Sequence, residues 1–237
     1  MKLPFFFKKK NISINSIFPK IKNKNSKLNN IEPLYRAKKF DLTFFDSIKY
    51  KSSASTTKAS YCITTEKLKK FLPEYTEKII VKNVLYELAN VLKKLYINAD
   101  IDFPDNTLRL STKTKLKGVK FGNNVLIGKG VKIDKNTIIG SNSIIEHDVV
   151  IGKNCVIGSN VILKNTIIGN NVVIQDGSNI GLKGYGFIPM KDNNIKFPHI
   201  GRVIINDNVE IASNCTIDRG SVDDTEVGKN TYLDNQV

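Results

Sequence analysis

The second half of the chain is built from a six-residue repeat, and this period limits the fold more than any other feature of the sequence. Seven units follow one another in phase over residues 121–162: FGNNVL, IGKGVK, IDKNTI, IGSNSI, IEHDVV, IGKNCV and IGSNVI. A short period sustained with few slips is typical of a solenoid, in which each coil is stabilised by stacking on the next. The repeat therefore predicts a parallel β-helix with flat sides, corners and about eighteen residues per turn.

Each position of the repeat has its own physical role. The first position is aliphatic or aromatic and is expected to point into the interior, whereas the fourth is mostly Asn, as expected at a corner where φ is positive. The fifth position is small or β-branched, and Cys155 and Cys215 fall in this column. We therefore interpret both cysteines as small core residues rather than as nucleophiles or metal ligands.

The first half of the chain has a different pattern. Residues 60–64 (SYCIT) and 78–82 (KIIVK) are typical of short strands, and residues 84–96 have the apolar spacing of an amphipathic helix. Alternation of strand and helix predicts a small α/β domain over residues 31–100. The fold class is thus mainly β, with this domain preceding a β-helix over residues 101–237.

Charge is concentrated at the N-terminus. The net charge is +15, and the first forty residues contain eleven Lys or Arg against a single acid, Glu32. We interpret residues 1–30 as a solvated basic arm; it lacks the interleaved aromatics of a nucleic-acid surface, so no nucleic-acid partner is expected. No apolar run approaches the roughly 20 residues of a membrane helix, which predicts a cytoplasmic protein, and three cysteines imply no disulfide framework there.

The interruption of the repeat, residues 181–202, is the first candidate for function, because a loop leaving a rigid solenoid is where specificity tends to lie. Only two histidines exist, His147 and His199, and neither has a metal partner at a recognisable spacing, so no metal is expected. We place His147 on an outer corner. For His199 two interpretations stay open: a structural side chain or a base in the loop.

Acidic residues cluster after the interruption. Asp218-Arg219-Gly220 is followed by Asp223-Asp224 and then by Asp234-Asn235. Either these carboxylates solvate a corner and pair with Arg219, or they line a site and orient a catalytic base. Spacing alone favours neither alternative.

At these residues the sequence resembles the UDP-3-O-acylglucosamine N-acyltransferases of bacterial lipid A biosynthesis. The resemblance rests on GYGF at 184–187, on the run from Phe197 to Asn230, and on the final LDNQV. In the first half, LTFFDSIKY at 42–50, followed by KASYCITT, resembles the uridine-binding domain of that family. The resemblance covers most of the chain from about residue 40.

This resemblance implies a left-handed β-helix and a homotrimer with active sites between adjacent subunits. It further implies transfer of a 3-hydroxyacyl group from acyl carrier protein to the 2-amine of UDP-3-O-acylglucosamine, with no cofactor beyond the phosphopantetheine thioester of the carrier. Whether the basic arm contacts the acidic carrier protein or a membrane surface stays open.

The resemblance also assigns candidate site residues. Phe44 and Tyr50 match the aromatic pair that holds the uracil, Lys49 matches a flanking position, and Ser47 stands where an Asn is usual. The catalytic base of the family is a His in a motif D-N-x-x-x-I-A-H-N, whose first two positions match Asp234 and Asn235. That base would fall about four residues beyond Val237, so the chain is expected to be an excerpt of a longer enzyme.

Two alternatives to membership of this N-acyltransferase family stay open. The first is another hexapeptide-repeat sugar acyltransferase or acetyltransferase, which the domain ahead of the helix disfavours. The second is a non-catalytic β-helix that binds a nucleotide sugar, which the missing histidine would favour.

Overall fold

A computed structural model describes residues 6–21, 27–113 and 116–237. Two compact units are present. One contains Phe7–Asp100 together with Gly186–Pro198, and the other contains Ile101–Tyr185 together with His199–Val237. The middle of the predicted loop excursion thus groups with the first unit, and its two ends group with the second.

The first unit is a small α/β structure around a parallel sheet, as predicted. Its strands, in the order β1-β2-β3, are Leu42–Phe45, Tyr61–Thr64 and Glu77–Ile80. Its helices are α1 (Ile14–Ile17), α2 (Lys51–Ser55), α3 (Val84–Leu95) and two 3-10 turns, Ile48–Tyr50 and Lys69–Phe71. The predicted strand at 60–64 and the predicted helix are confirmed, while the strand expected at 78–82 begins and ends earlier.

Helix α3 forms because its apolar residues recur at helical spacing and because its start is capped. Asn83 accepts a hydrogen bond from the Tyr86 amide at 3.0 Å, which satisfies one of the free N–H groups of the first turn. Helix α3 contacts β1 and β2. Its buried face consists of Val84, Leu88, Ala89, Val91, Leu92 and Leu95.

The N-terminal segment is not the solvated arm that its charge suggests. Ile14, Ile17, Ile21 and Leu28 are all buried, and burial of such side chains contributes on the order of 1.5–3 kcal/mol each. The Lys9 ammonium donates to the backbone carbonyl of Leu28 at 2.7 Å. The apolar residues between the lysines therefore pack into the α/β unit, and the interpretation of residues 1–30 as solvated is wrong for this described part.

The second unit is a coil whose three faces are stacks of short strands. The first face contains β4 (Arg109–Leu110), β6 (Leu126–Ile127), β9 (Ile144–Ile145), β12 (Ile162–Leu163), β15 (Asn179–Lys183) and β20 (Thr216–Arg219). The second contains β7 (Lys132–Ile133), β10 (Val150–Ile151), β13 (Thr166–Ile168), β18 (Val203–Ile205) and β21 (Thr225–Val227). The third contains β5 (Lys120–Phe121), β8 (Ile138–Ile139), β11 (Val156–Ile157), β14 (Val173–Ile174), β19 (Glu210–Ile211) and β22 (Tyr232–Leu233).

Except for β4, which runs antiparallel to β6, neighbouring strands of these faces are parallel. The predicted parallel β-helix is confirmed. Lys120 pairs with Ile138 and Ile138 pairs with Val156, which gives a turn of eighteen residues. The turn from Glu210 to Tyr232 spans twenty-two residues, because the insertion around Asp223 bulges from a corner without disturbing the stack.

The corner asparagines adopt the conformation that the repeat predicts. The φ of the fourth-position asparagines lies between 55° and 63°; these residues are Asn124, Asn136, Asn142, Asn154, Asn160, Asn171, Asn208, Asn214 and Asn230. On one corner their side chains form a ladder, in which each amide nitrogen donates to the next amide oxygen at 3.1 Å; its members are Asn136, Asn154, Asn171, Asn208 and Asn230. The fifth-position residues Cys155 and Cys215 are fully buried, which confirms their assignment to the core.

The remaining strands, β16 (Phe187–Pro189) and β17 (Asn194–Lys196), form an antiparallel hairpin within the first unit. Across the described ranges, no helix is both long and apolar enough to cross a membrane.

Candidate functional site

The four predicted uridine residues lie in one strand-to-helix connection of the α/β unit. Phe44 is half-buried in β1, and Ser47 directly precedes the 3-10 turn that Tyr50 ends. Parallel sheets usually bind ligands where the carboxyl ends of their strands open into loops, and this connection leaves such an end. The structure thus places these residues in a position suited to a ligand.

The side chains of this connection have distinct roles. The Ser47 hydroxyl accepts a hydrogen bond from the Lys49 amide at 3.4 Å, so it caps the turn. Tyr50 is 49% exposed, and the Lys49 ammonium lies 6.0 Å from the centre of its ring. An exposed aromatic ring beside a cation is available for stacking with a planar base.

Asp234 and Asn235 occupy the corner that follows β22, and both are exposed. Asp234 Oδ1 accepts from the Asn235 amide at 2.8 Å, and Asn235 Oδ1 accepts from the Ser213 amide of the preceding coil at 3.0 Å. The Ser159 amide donates to Asp176 Oδ1 in the same way at 2.6 Å two coils earlier. The two residues therefore shape a corner of the coil. Their supporting role in catalysis stays a prediction.

A backbone hydrogen bond joins Val237 to the preceding coil. The Thr216 amide donates to the Val237 carbonyl at 2.8 Å, as the Asn179 amide does to the Cys215 carbonyl one coil below, where Asn179 pairs with Thr216.

Arg219, the last residue of β20, is the centre of a buried polar cluster of the β-helix. Its side chain is fully buried, and Nη1 lies 2.8 Å from Asp102 Oδ1. Nη1 also donates to the Gly181 carbonyl and Nε donates to the His199 carbonyl, each at 3.0 Å. Because a guanidinium presents several donors in a fixed plane, one side chain holds both ends of the loop excursion.

The first turn of the excursion is fixed by further bonds. The Lys183 amide donates to Asp102 Oδ2 at 2.8 Å, and the Gly184 amide donates to His199 Nδ1 at 3.0 Å. Gly184 permits this approach, because a Cβ there would lie 2.5 Å from His199 Cε1 and 3.6 Å from Asp218 Oδ2. Asp102, Lys183, Gly184, His199 and Arg219 form what we call the excursion clamp.

The electrostatics of the clamp decide the role of His199. Burial, together with the charge of Lys183, lowers the pKa of His199 to about 4. Because Nδ1 accepts the Gly184 hydrogen bond, the proton of the neutral imidazole resides on Nε2. His199 is therefore a neutral structural acceptor, which supports the structural interpretation over the loop base. His147, by contrast, lies at an outer corner beside Asp148, as predicted.

The acidic cluster resolves into separate roles. Asp224 forms a two-point ion pair with Arg202, with distances of 3.0 Å and 2.5 Å. Arg219 pairs with Asp102, a residue that sequence reasoning missed, because it lies in the irregular segment before the first coil. Of the two alternatives left open for the clustered acids, pairing with Arg219 therefore does not hold for Asp224. Burial raises the pKa of the Asp218 carboxyl, and the positive charge of Arg219 opposes this rise.

Comparison with known proteins agrees with the resemblance inferred from sequence. Residues 25–94 match the family described as UDP-3-O-(3-hydroxymyristoyl) glucosamine N-acyltransferase, LpxD. Residues 118–153 and 130–165 match the bacterial transferase hexapeptide. The chain therefore contains a domain of the first family followed by hexapeptide repeats.

Individual relatives are named UDP-3-O-acylglucosamine N-acyltransferases. A UDP-3-O-acylglucosamine N-acyltransferase of Methylorubrum populi is 39% identical over 221 residues, 86% of this chain and 61% of that protein. One from Rhizobium rhizogenes is 55% identical over 64 residues, 27% of this chain and 18% of that protein. These matches thus span less than two thirds of the length of either relative. Among solved structures, an Arabidopsis UDP-N-acetylglucosamine acyltransferase covers 50% of this chain and 44% of its own at 18% identity, with a TM-score of 0.24.

Proposed function

We propose that this chain is part of an N-acyltransferase that moves a 3-hydroxyacyl group from acyl carrier protein to the 2-amine of UDP-3-O-acylglucosamine in lipid A biosynthesis. The observation that carries the proposal is the 39% identity to the Methylorubrum populi enzyme along 86% of the chain. The identity runs through both units, so it supports a common arrangement of a nucleotide domain and a β-helix.

The chemistry required is modest. An amine that attacks a thioester needs a base to accept its proton and a donor to stabilise the oxyanion, and no covalent enzyme intermediate is required. Within the proposal, the thioester is that of the phosphopantetheine group of the carrier, and no resident cofactor or metal takes part. The base is the His of the family motif that Asp234 and Asn235 begin.

The register of the coil supports this placement of the base. Within the proposal, the coil continues past Val237 in the register of the Thr216–Val237 hydrogen bond, and the motif His would then lie near Arg219 and the excursion clamp. The attacking amine then lies next to a rigid part of the backbone. Rigid positioning of reacting groups contributes strongly to the rate of such transfers.

The assembly and location belong to the same proposal. We expect a left-handed coil, a homotrimer with active sites between subunits, a cytoplasmic enzyme and a peripheral contact of the basic N-terminal region with anionic partners. Sedimentation of the full-length protein at several concentrations tests the trimer.

The uridine site is tested by calorimetric titration with UDP. Tyr50→Ala should weaken binding about tenfold, because it removes one aromatic face, whereas Ser47→Asn should strengthen binding, because it restores the amide that the family uses. Tyr35→Ala, at a tyrosine that is 67% exposed in the same unit, serves as the matched control and should leave the affinity unchanged. Equal affinity of Tyr50→Ala and the unmodified protein would remove Tyr50 from the site.

The catalytic assignment is tested in the full coding sequence. We expect a His at the fourth position beyond Val237, and its replacement by Ala should abolish acyl transfer while the trimer stays intact. A different residue there, or full activity of the variant, would refute this assignment of the base.

A further inference from the structure

Positive charge is concentrated in the part of the α/β unit that follows its first two strands. Residues 46–71 contain six lysines against two acids. One of these lysines, Lys69, is paired with Glu66. Among the residues that the structure describes, no carboxylate lies within ion-pair distance of Lys51 or Lys70. The charges of these two lysines are therefore available to an anion.

Lys51 and Lys70 are both held beside the ring of Phe71. Lys51 is the first residue of α2, and Lys70 lies in the 3-10 turn that follows β2. Their ammonium groups are 4.9 Å and 5.2 Å from the centre of the ring, which itself packs against the core of the unit. An ammonium beside an aromatic ring keeps its full charge. Two cations from separate connections are thus placed around one anchored ring.

This pair of lysines follows the predicted uridine site directly. Tyr50 precedes Lys51 in the chain, and the Lys49 ammonium lies 6.0 Å from the centre of the Tyr50 ring. The connections that contain these residues begin at the carboxyl ends of β1 and β2, which are adjacent parallel strands. Parallel sheets usually bind ligands at that edge. A nucleotide whose base stacks on Tyr50 therefore has its phosphates in a region of positive potential.

The chemistry of the pair selects the kind of anion. Two ammonium groups beside one ring repel each other, and a bound anion removes this repulsion. A diphosphate has more than one negative charge and several strong acceptor oxygens, so it can accept hydrogen bonds from both lysines.

We propose that Lys51 and Lys70 bind the diphosphate of the acceptor UDP-sugar. This inference rests on the proposed function, in which the diphosphate links the uridine to the glucosamine ring. The uracil site then selects the base, and the lysine pair selects a nucleotide over a nucleoside.

Calorimetry on the full-length protein, with uridine and UDP as probes, separates the phosphates from the base. The double variant Lys51→Gln/Lys70→Gln should weaken UDP binding about tenfold and leave the affinity for uridine unchanged, because only UDP has phosphates. Lys51→Arg/Lys70→Arg keeps both charges and should stay within about threefold of the unmodified protein. The effect of the glutamine variant should shrink in 1 M salt, where charges are screened over about 3 Å.

The matched control is Lys58→Gln/Lys94→Gln. It removes two exposed lysines of the same unit, one just before β2 and one in the last turn of α3, and should leave the affinity for UDP unchanged. Unchanged UDP affinity in Lys51→Gln/Lys70→Gln overturns the inference. An equal loss in the control also overturns it, since overall charge would then explain the effect. Equal weakening of uridine and UDP does the same, because the base site would then be disturbed.

The phosphodiester of the phosphopantetheine group on the carrier is the other phosphate of the proposed reaction. In steady-state kinetics of acyl transfer, Lys51→Gln/Lys70→Gln should raise the KM for the UDP-sugar about tenfold and leave the KM for acyl carrier protein unchanged. A rise confined to the carrier overturns the inference. If the unmodified protein binds neither uridine nor UDP, the proposed nucleotide site itself fails. That result is distinct from normal binding of both probes by the unmodified protein and the double variant, which rejects the lysine pair alone.

Discussion

Removal of the Arg219 guanidinium should destabilise the β-helix measurably. Arg219→Met eliminates the ion pair with Asp102 and the hydrogen bonds to the Gly181 and His199 carbonyls. Breaking a buried pair by removing one partner costs about 3–5 kcal/mol, because the other charge is left buried. Asp102 is 24% exposed and keeps its bond from the Lys183 amide, so we expect the low end, about 3 kcal/mol.

The assay is urea unfolding followed by circular dichroism at a fixed protein concentration. The double variant Arg219→Met/Asp102→Asn should lose about 1–2 kcal/mol less free energy of unfolding than the two single variants lose together, because it has no unpaired carboxylate at position 102. Arg109→Met, at an exposed arginine, should change the free energy of unfolding by less than about 0.5 kcal/mol. A loss below about 1 kcal/mol for Arg219→Met, or strict additivity in the double variant, would refute the clamp.

Two further predictions concern the corners of the coil and the pH dependence of the fold. Asn171 has a φ of 55° and forms hydrogen bonds with Asn154 and Asn208. Asn171→Ala should therefore lower the free energy of unfolding by about 2 kcal/mol, and Asn171→Gly should lower it by less, because glycine tolerates this φ. Equal losses for the two variants in urea unfolding would contradict the backbone argument. The pKa of His199 is about 4 in the folded protein against 6.5 in a free side chain, so the unfolded chain binds more protons between these values. The free energy of unfolding should therefore fall by up to about 3 kcal/mol as the pH drops from 6.5 to 4. His199→Gln keeps an acceptor for Gly184 and should reduce this dependence of the free energy of unfolding on pH. The same pH dependence in the variant and the unmodified protein would count against a neutral His199.

Much of the fold was predictable from the period of the sequence. A six-residue repeat gives every residue the same surroundings once per coil, so local pattern and tertiary environment coincide. The corner asparagines and the buried Cys155 and Cys215 could be assigned for this reason. The N-terminal segment could not be assigned, because burial of Ile14 and Ile17 depends on an apolar surface contributed by distant parts of the chain.

The features of the candidate site likewise differ in whether the sequence or only the tertiary structure decides them. The sequence by itself determined the coil and its corner asparagines, because each unit rests on neighbouring residues in a recognisable order. The assignment of Phe44 and Tyr50 to a uridine site comes from the resemblance and stays a prediction. Only the tertiary structure decided that Arg219 pairs with Asp102 rather than with the acids beside it in sequence. It also decided that His199 is a neutral acceptor. Both results depend on residues from an irregular segment and a loop, where no period fixes the partner and burial sets the charge.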